Sequence, residues 1–132
     1  TLAGTRPGGA ISSAWAVMNY LGIDGYRQKQ QSVTRARASI EVGVSEMGFE
    51  VLGAPKLGIM AFSHPELDIF ALYKRLYERG WVTSLCTQPK ALHLMLSPFH
   101  ETVAAQYLAD LTWAVAQVRA GINDAVTEVR YS

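Results

Sequence analysis

Three features of the sequence predict an α+β fold, a small antiparallel sheet of about four strands covered by helices. Helical periodicity fills both ends of the chain. Short β-like runs come in two pairs, each split by a turn. One helix-spaced segment separates the pairs, giving the order α-α-β-β-α-β-β-α. Grouped hairpins, rather than alternating β and α units, favour antiparallel pairing. The 132 residues suit one domain, and 49% hydrophobic content supports a real core.

The elements follow in order. From Gly9 to Leu21, the residues Ile11, Ala14, Trp15 and Met18 fall on one helix face. Pro7 precedes this helix and Gly22 stands near its end, with Asp24-Gly25 as the turn. A second helix spans Tyr26 to Met47, with Val33, Ala36, Ile40, Val44 and Met47 as its inner stripe. Its cations Arg27, Lys29, Arg35 and Arg37 lie mostly off that stripe and read as a solvated face. Gly48 stops it. Phe49–Leu52 and Leu57–Phe62 read as an antiparallel hairpin. Ser63 and Glu66 form a capping box for a helix from Pro65 to Arg79, stopped by Gly80. Its inner face is Ile69, Leu72, Tyr73 and Leu76. Trp81–Cys86 and Leu92–Leu96 make the second strand pair. In the latter, Leu92, Leu94 and Leu96 share one face, and His93 and Met95 share the other. A last helix runs from Glu101 to Ala120 on Ala104, Leu108, Leu111, Val115 and Val118. The segments are therefore a loop at 1–9, helices over 10–47, an α+β domain over 48–120 and a tail at 121–132.

Composition narrows the function. Net charge is +1 without a basic run, which gives no support for a nucleic-acid or anionic-membrane partner. The single Cys86 excludes an internal disulfide and a cysteine-rich zinc site, and fits a reducing, cytoplasmic compartment. No apolar run reaches membrane-span length, and no signal-peptide pattern opens the chain. His64, His93 and His100 lack metal-ligand spacing, so no metal site is expected. HExxH, Walker A, GxGxxG and GxSxG patterns are absent.

The stretch with chemistry is Thr1-Leu2-Ala3-Gly4-Thr5-Arg6-Pro7-Gly8-Gly9. Its glycines permit close backbone approach, Thr5 offers a hydroxyl, and Arg6 offers a planar cation suited to phosphate or carboxylate. The following helix start favours an anion. This stretch resembles the "AGSRPGG" segment of sphingosine-1-phosphate lyases and related group II pyridoxal-phosphate decarboxylases. The resemblance extends along most of the chain. Leu21-Gly22-Ile23-Asp24-Gly25-Tyr26 resembles the family's "G-x-x-G-Y" turn. Leu57–Ser63 before Asp68-Ile69-Phe70 is similar to its next helix entry. Glu78-Arg79-Gly80-Trp81 is similar to its "x-x-G-W" junction, and Ala91-Leu92-His93-Leu94 to its "S-I-H-F" strand.

The resemblance implies the C-terminal domain of a fold type I enzyme using pyridoxal 5'-phosphate, preceded by an interface loop. It implies that Thr5 contacts the cofactor phosphate of the neighbouring subunit in a homodimer, with Arg6 beside it as loop anchor or second contact. His93 takes a position that is commonly Arg in the amino-acid decarboxylases, where it holds the substrate α-carboxylate. His there implies an amine-bearing substrate without that carboxylate, and so carbon–carbon cleavage. A decarboxylase fragment is the alternative. No catalytic residue is expected in this chain. Lys29, Lys56, Lys74 and Lys90 never follow a His, so the Schiff-base lysine is expected upstream, in a large domain that the chain lacks. The chain alone is then not an enzyme. From another class, a free-standing α+β interaction module without enzymatic activity would also suit the composition.

Overall fold

The computed structural model describes residues 4–121. Thr1, Leu2, Ala3 and residues 122–132 of the expected tail lie outside the described residues. The element order is α1 (Gly8–Glu46), β1 (Glu50–Val51), β2 (Ile59–Ser63), α2 (Ile69–Glu78), β3 (Ser84–Thr87), β4 (Lys90–Met95) and α3 (His100–Arg119). The four strands form one antiparallel sheet in the order β1-β2-β4-β3. The α+β class and the pairing within both hairpins are as the sequence predicts.

The register explains the layering. Phe62 faces Leu92 and Met60 faces Leu94 across β2 and β4, while Ala61 faces His93 and Ile59 faces Met95. Side chains alternate along a strand, so the first set lies on one face and the second on the other. Met60, Phe62, Leu92 and Leu94 are buried. They pack with Ile40 and Val44 of α1, Leu72 and Leu76 of α2, and Leu111 and Val115 of α3. Ile59 and Met95, on the opposite face, are exposed.

The two expected N-terminal helices are one helical run with a break. Gly22 alone departs from helical geometry, with φ 57° and ψ −174°. Asp24 and Gly25 are helical, so the predicted turn there is corrected. The sharp conformational demand falls on Gly22, where a left-handed φ is open to a residue without Cβ. The limb after the break buries Val33, Ala36, Ile40 and Val44, whereas Met47 is only half-buried. In the limb before the break, every residue from Gly8 to Tyr20 is exposed. Its regular stripe of Ile11, Ala14, Trp15 and Met18 is covered by none of the described residues.

Two helices end the same way. Phe49 N–H donates to Val44 O and Gly48 N–H to Ser45 O; Trp81 N–H donates to Leu76 O and Gly80 N–H to Tyr77 O. Both are Schellman closures, with glycine at the left-handed position (φ 90° and 87°) and an aromatic residue returning to the core. The start of α2 differs from expectation. Asp68 is the cap, its Oδ1 accepting from Phe70 N–H at 2.9 Å, and the helix begins at Ile69 rather than Pro65. Ser63 ends β2 instead, and its hydroxyl donates to Lys90 O at 2.6 Å. The cross-strand carbonyl thus takes the hydroxyl that the capping box required. The third strand starts at Ser84 rather than Trp81. Trp81 instead donates from Nε1 to Asp110 Oδ2 at 2.9 Å and sets its ring edge-on to Tyr107. Arg79 also reaches Asp110 at 3.2 Å and lies 4.0 Å over the Trp113 ring, tying the end of α2 to α3. On α3, Tyr107 and Ala114 join the buried stripe, while Leu108 is half-buried.

One close approach is testable. A Cβ at Gly58 would meet Val33 Cγ1 at 2.6 Å and Leu96 O at 2.7 Å. Leu96 N–H also donates to Gly58 O at 2.6 Å, so the two segments cannot part cheaply. Gly58→Ala is expected to destabilise the chain by about 1–3 kcal/mol, the usual cost of overpacking. Chemical denaturation checks it; a wild-type midpoint would refute the contact.

Candidate functional site

The N-terminal loop is open. Gly4 to Pro7 are exposed and precede α1 without a side-chain cap. A Cβ at Gly4, Gly8 or Gly9 would meet no atom within 4 Å. Thr5 and Arg6 therefore present a hydroxyl and a guanidinium outward. None of the four lysines is buried, and Lys90 lies 5.1 Å above the Phe70 ring. No cluster of His, Cys, Asp and Glu suited to a metal ion occurs among the described residues. No described helix is long and apolar enough to cross a membrane.

His93 is half-buried on the outer face of β4, between Ala61 and Ser84 of its neighbours. It lines a cleft of about 130 Å³ at the end of the sheet where β3 begins and β4 ends. The walls are apolar, from Ile40, Leu94, Val103 and Ala104, and the polar residues reaching it are Thr83, Ser84, His93, His100 and Tyr107. Thr5 and Arg6 do not line it, so the structure does not join the predicted phosphate contact to His93.

The cleft's polarity is unusual in one respect. The hydroxyls of Thr83 and Tyr107 are buried and have no hydrogen-bond partner among the described residues. Leaving a buried hydroxyl unpartnered costs about 1–3 kcal/mol. Tyr107 is only 3% exposed. Long helical side chains lean towards the N-terminus of their helix, which carries this phenol towards the level of Val103 and His100. His100, the first residue of α3, is oriented from outside. Ser97 N–H donates to its Nδ1 at 2.8 Å, and the Ser97 hydroxyl lies 3.0 Å from the same nitrogen. His64 is placed elsewhere, buried against Phe49 with its Nδ1 accepting from Glu66 N–H at 3.1 Å. Cys86 is half-buried on β3, opposite Ala91.

Sequence reasoning singled out His93 and missed Thr83, His100 and Tyr107 as its neighbours. A signal existed for one of them. Tyr107 falls three residues after Ala104 and four before Leu111, on the apolar stripe, where a phenol needs a partner.

Burial pushes the Tyr107 phenol well above its usual range. The unfolded chain would release this proton above about pH 10 while the folded chain keeps it, so stability must fall as pH rises past that point. Tyr107→Phe should flatten this slope. Denaturation midpoints measured from neutral pH to about pH 11 test it, and an equal alkaline loss in both proteins would refute the assignment.

No protein-family model matches the chain. It is 36% identical over 121 residues to the sphingosine-1-phosphate lyase of Arabidopsis thaliana, covering 91% of this chain and 22% of that enzyme. It is also 36% identical over 103 residues to a probable L-tyrosine/L-aspartate decarboxylase of Methanosarcina acetivorans, covering 78% of this chain and 26% of that protein. The chain thus spans about a quarter of the length of these relatives. Among solved structures, the sphingosine-1-phosphate lyase of Burkholderia pseudomallei superposes with a TM-score of 0.84 at 29% identity, over 92% of this chain and 28% of that one. Glutamate decarboxylase of Lactobacillus brevis shares the fold, with a TM-score of 0.60 at 16% identity over 79% of this chain and 27% of that one. By sequence and by fold, the chain is homologous to the C-terminal part of the sphingosine-1-phosphate lyases and related decarboxylases of the pyridoxal-phosphate fold type I.

Proposed function

We propose that the chain is the C-terminal part of a pyridoxal-phosphate-dependent carbon–carbon lyase of the sphingosine-1-phosphate lyase type. The observation that carries this reading is the agreement of 36% identity to the plant lyase with a TM-score of 0.84 to the bacterial one. The chain's own residues suit one edge of the cofactor site rather than the whole. The exposed loop at Gly4–Gly9 leaves room for a phosphate against Thr5 and Arg6. No buried lysine offers a desolvated amine.

When bound in the complete enzyme, the cofactor supplies an electron sink for cleavage beside the substrate amine. The Thr5 hydroxyl donates to the cofactor phosphate of the neighbouring subunit, and Arg6 adds positive charge or braces the loop. Cofactor binding and dimerisation thereby support each other. His93 lacks the planar fork with which Arg holds a carboxylate, so the substrate is an amine without an α-carboxylate. Two uncovered apolar surfaces support a missing large domain and a second subunit. One is Ile11, Trp15 and Met18 along α1; the other is Ile59 and Met95 on the outer sheet face. The free Cys86 suits a cytoplasmic setting.

A decarboxylase is the second reading, favoured by the equal identity to the archaeal relative. Assay of the complete enzyme against a phosphorylated sphingoid base and against L-tyrosine and L-aspartate separates the two. Cleavage of the amino acids alone would overturn the lyase reading. Thr5→Ala should weaken cofactor affinity about tenfold, the loss of one hydrogen bond to a charged group. Fluorescence titration of the apoenzyme measures it, and unchanged affinity would remove Thr5 from the site. The isolated chain should form no borohydride-trapped cofactor adduct at any one lysine, as mass spectrometry would show.

A further inference from the structure

We propose that Gly22 and Gly25 are positioning residues. Together they build the break in α1 that sets the direction in which the Thr5 loop leaves the domain carrying His93, and so place the Thr5 hydroxyl against the cofactor phosphate. Gly22 supplies the backbone. Its φ of 57° with ψ −174° is far from the left-handed helical well and falls in territory held almost entirely by glycine. Gly25 supplies the room. A Cβ there would meet Leu21 Cβ at 3.0 Å and Cδ2 at 3.3 Å, and its three nearest atoms all belong to Leu21. In a regular helix, Cβ atoms four residues apart stand about 5–6 Å from each other. The break thus folds Leu21 down onto residue 25, where any side chain would push it off.

Among the described residues, no packing fixes the first limb at its angle, because every residue from Gly8 to Tyr20 is exposed. The second limb is anchored instead. Val33, Ala36, Ile40 and Val44 are buried, and Ile40 also lines the cleft of His93. The first limb therefore acts as a lever on the loop. From Gly8 to Leu21 it is about 21 Å long at 1.5 Å per residue, so a kink of roughly 20° moves the loop by about 7 Å. A hydroxyl reaches an anionic oxygen over only about 2.5–2.7 Å. A straight α1 would carry Thr5 out of reach of a phosphate that the bent helix meets. This inference rests on the reading of Thr5 as the phosphate contact, and adds the two glycines through which that contact is made.

Two measurements test it. In the 15N-labelled 132-residue chain, residual dipolar couplings are expected to give two helix axes that diverge at Gly22, and one continuous axis in Gly22→Ala. A single axis in the wild type would overturn the break. In the complete enzyme, titration of the apoenzyme with pyridoxal 5'-phosphate, and separately with pyridoxal, which lacks the phosphate, isolates the contact. Gly22→Ala and Gly25→Ala act on the break by different routes. Each should weaken pyridoxal 5'-phosphate about tenfold, the loss of one hydrogen bond to a charged group, and leave pyridoxal unchanged. Added to Thr5→Ala, neither should cause a further loss, because the same contact is already gone. Ser12→Ala, exposed in the same limb, should keep wild-type affinity for both compounds. Equal losses with both compounds, or a loss in Ser12→Ala, would overturn the positioning role. Wild-type affinity in either glycine variant beside a weakened Thr5→Ala would overturn it while the Thr5 contact stands. Wild-type affinity in all three would overturn the contact and the positioning role together.

Discussion

The pairing of β2 with β4 is the contact on which the other layers rest. It joins residues 59–62 to 92–95 across a helix and a hairpin, and among the described residues it is the strand pairing that links the two hairpins. Its register is fixed by hydrophobic demand. Sliding either strand by one residue would turn Met60 and Phe62, or Leu92 and Leu94, out to the face of Ile59 and Met95. The same slip would press His93 against Leu72 and Leu111, where an imidazole has no partner. The packing of Phe62 and Leu92 against the helices thus dictates that His93 points away from them.

That coupling explains what was legible in the sequence. The alternation Leu92, His93, Leu94, Met95 assigns faces because a half-buried strand repeats every two residues, and the structure follows it. The stripe of Val33, Ala36, Ile40 and Val44 is legible for the same kind of reason at helical period. Caps were less legible. Ser63 and Glu66 have the spacing of a capping box, but Lys90 O, 27 residues away, claims the Ser63 hydroxyl. No local pattern carries that competition. Nor can periodicity tell whether a stripe is covered. Ile11, Trp15 and Met18 have the spacing of a buried face and remain exposed.

The candidate site divides along the same line. Thr5 and Arg6 stand out in sequence as a chemical pattern within one loop. The cleft is assembled from the 81–84 segment, β4 and α3, elements distant in sequence that the sheet and the Trp81 anchorage to Asp110 bring together. Thr83 and Tyr107 are ordinary residues until the fold removes water from both hydroxyls together.

Gly22 divides α1 between two different masters. Beyond it, Val33, Ala36, Ile40 and Val44 are held by the chain's own interior; before it, Ile11, Trp15 and Met18 stay exposed. The folding equilibrium of this chain is therefore nearly deaf to the identity of Ile11, Trp15 and Met18. Drift at those positions would pass nearly unseen in an unfolding experiment on the chain alone.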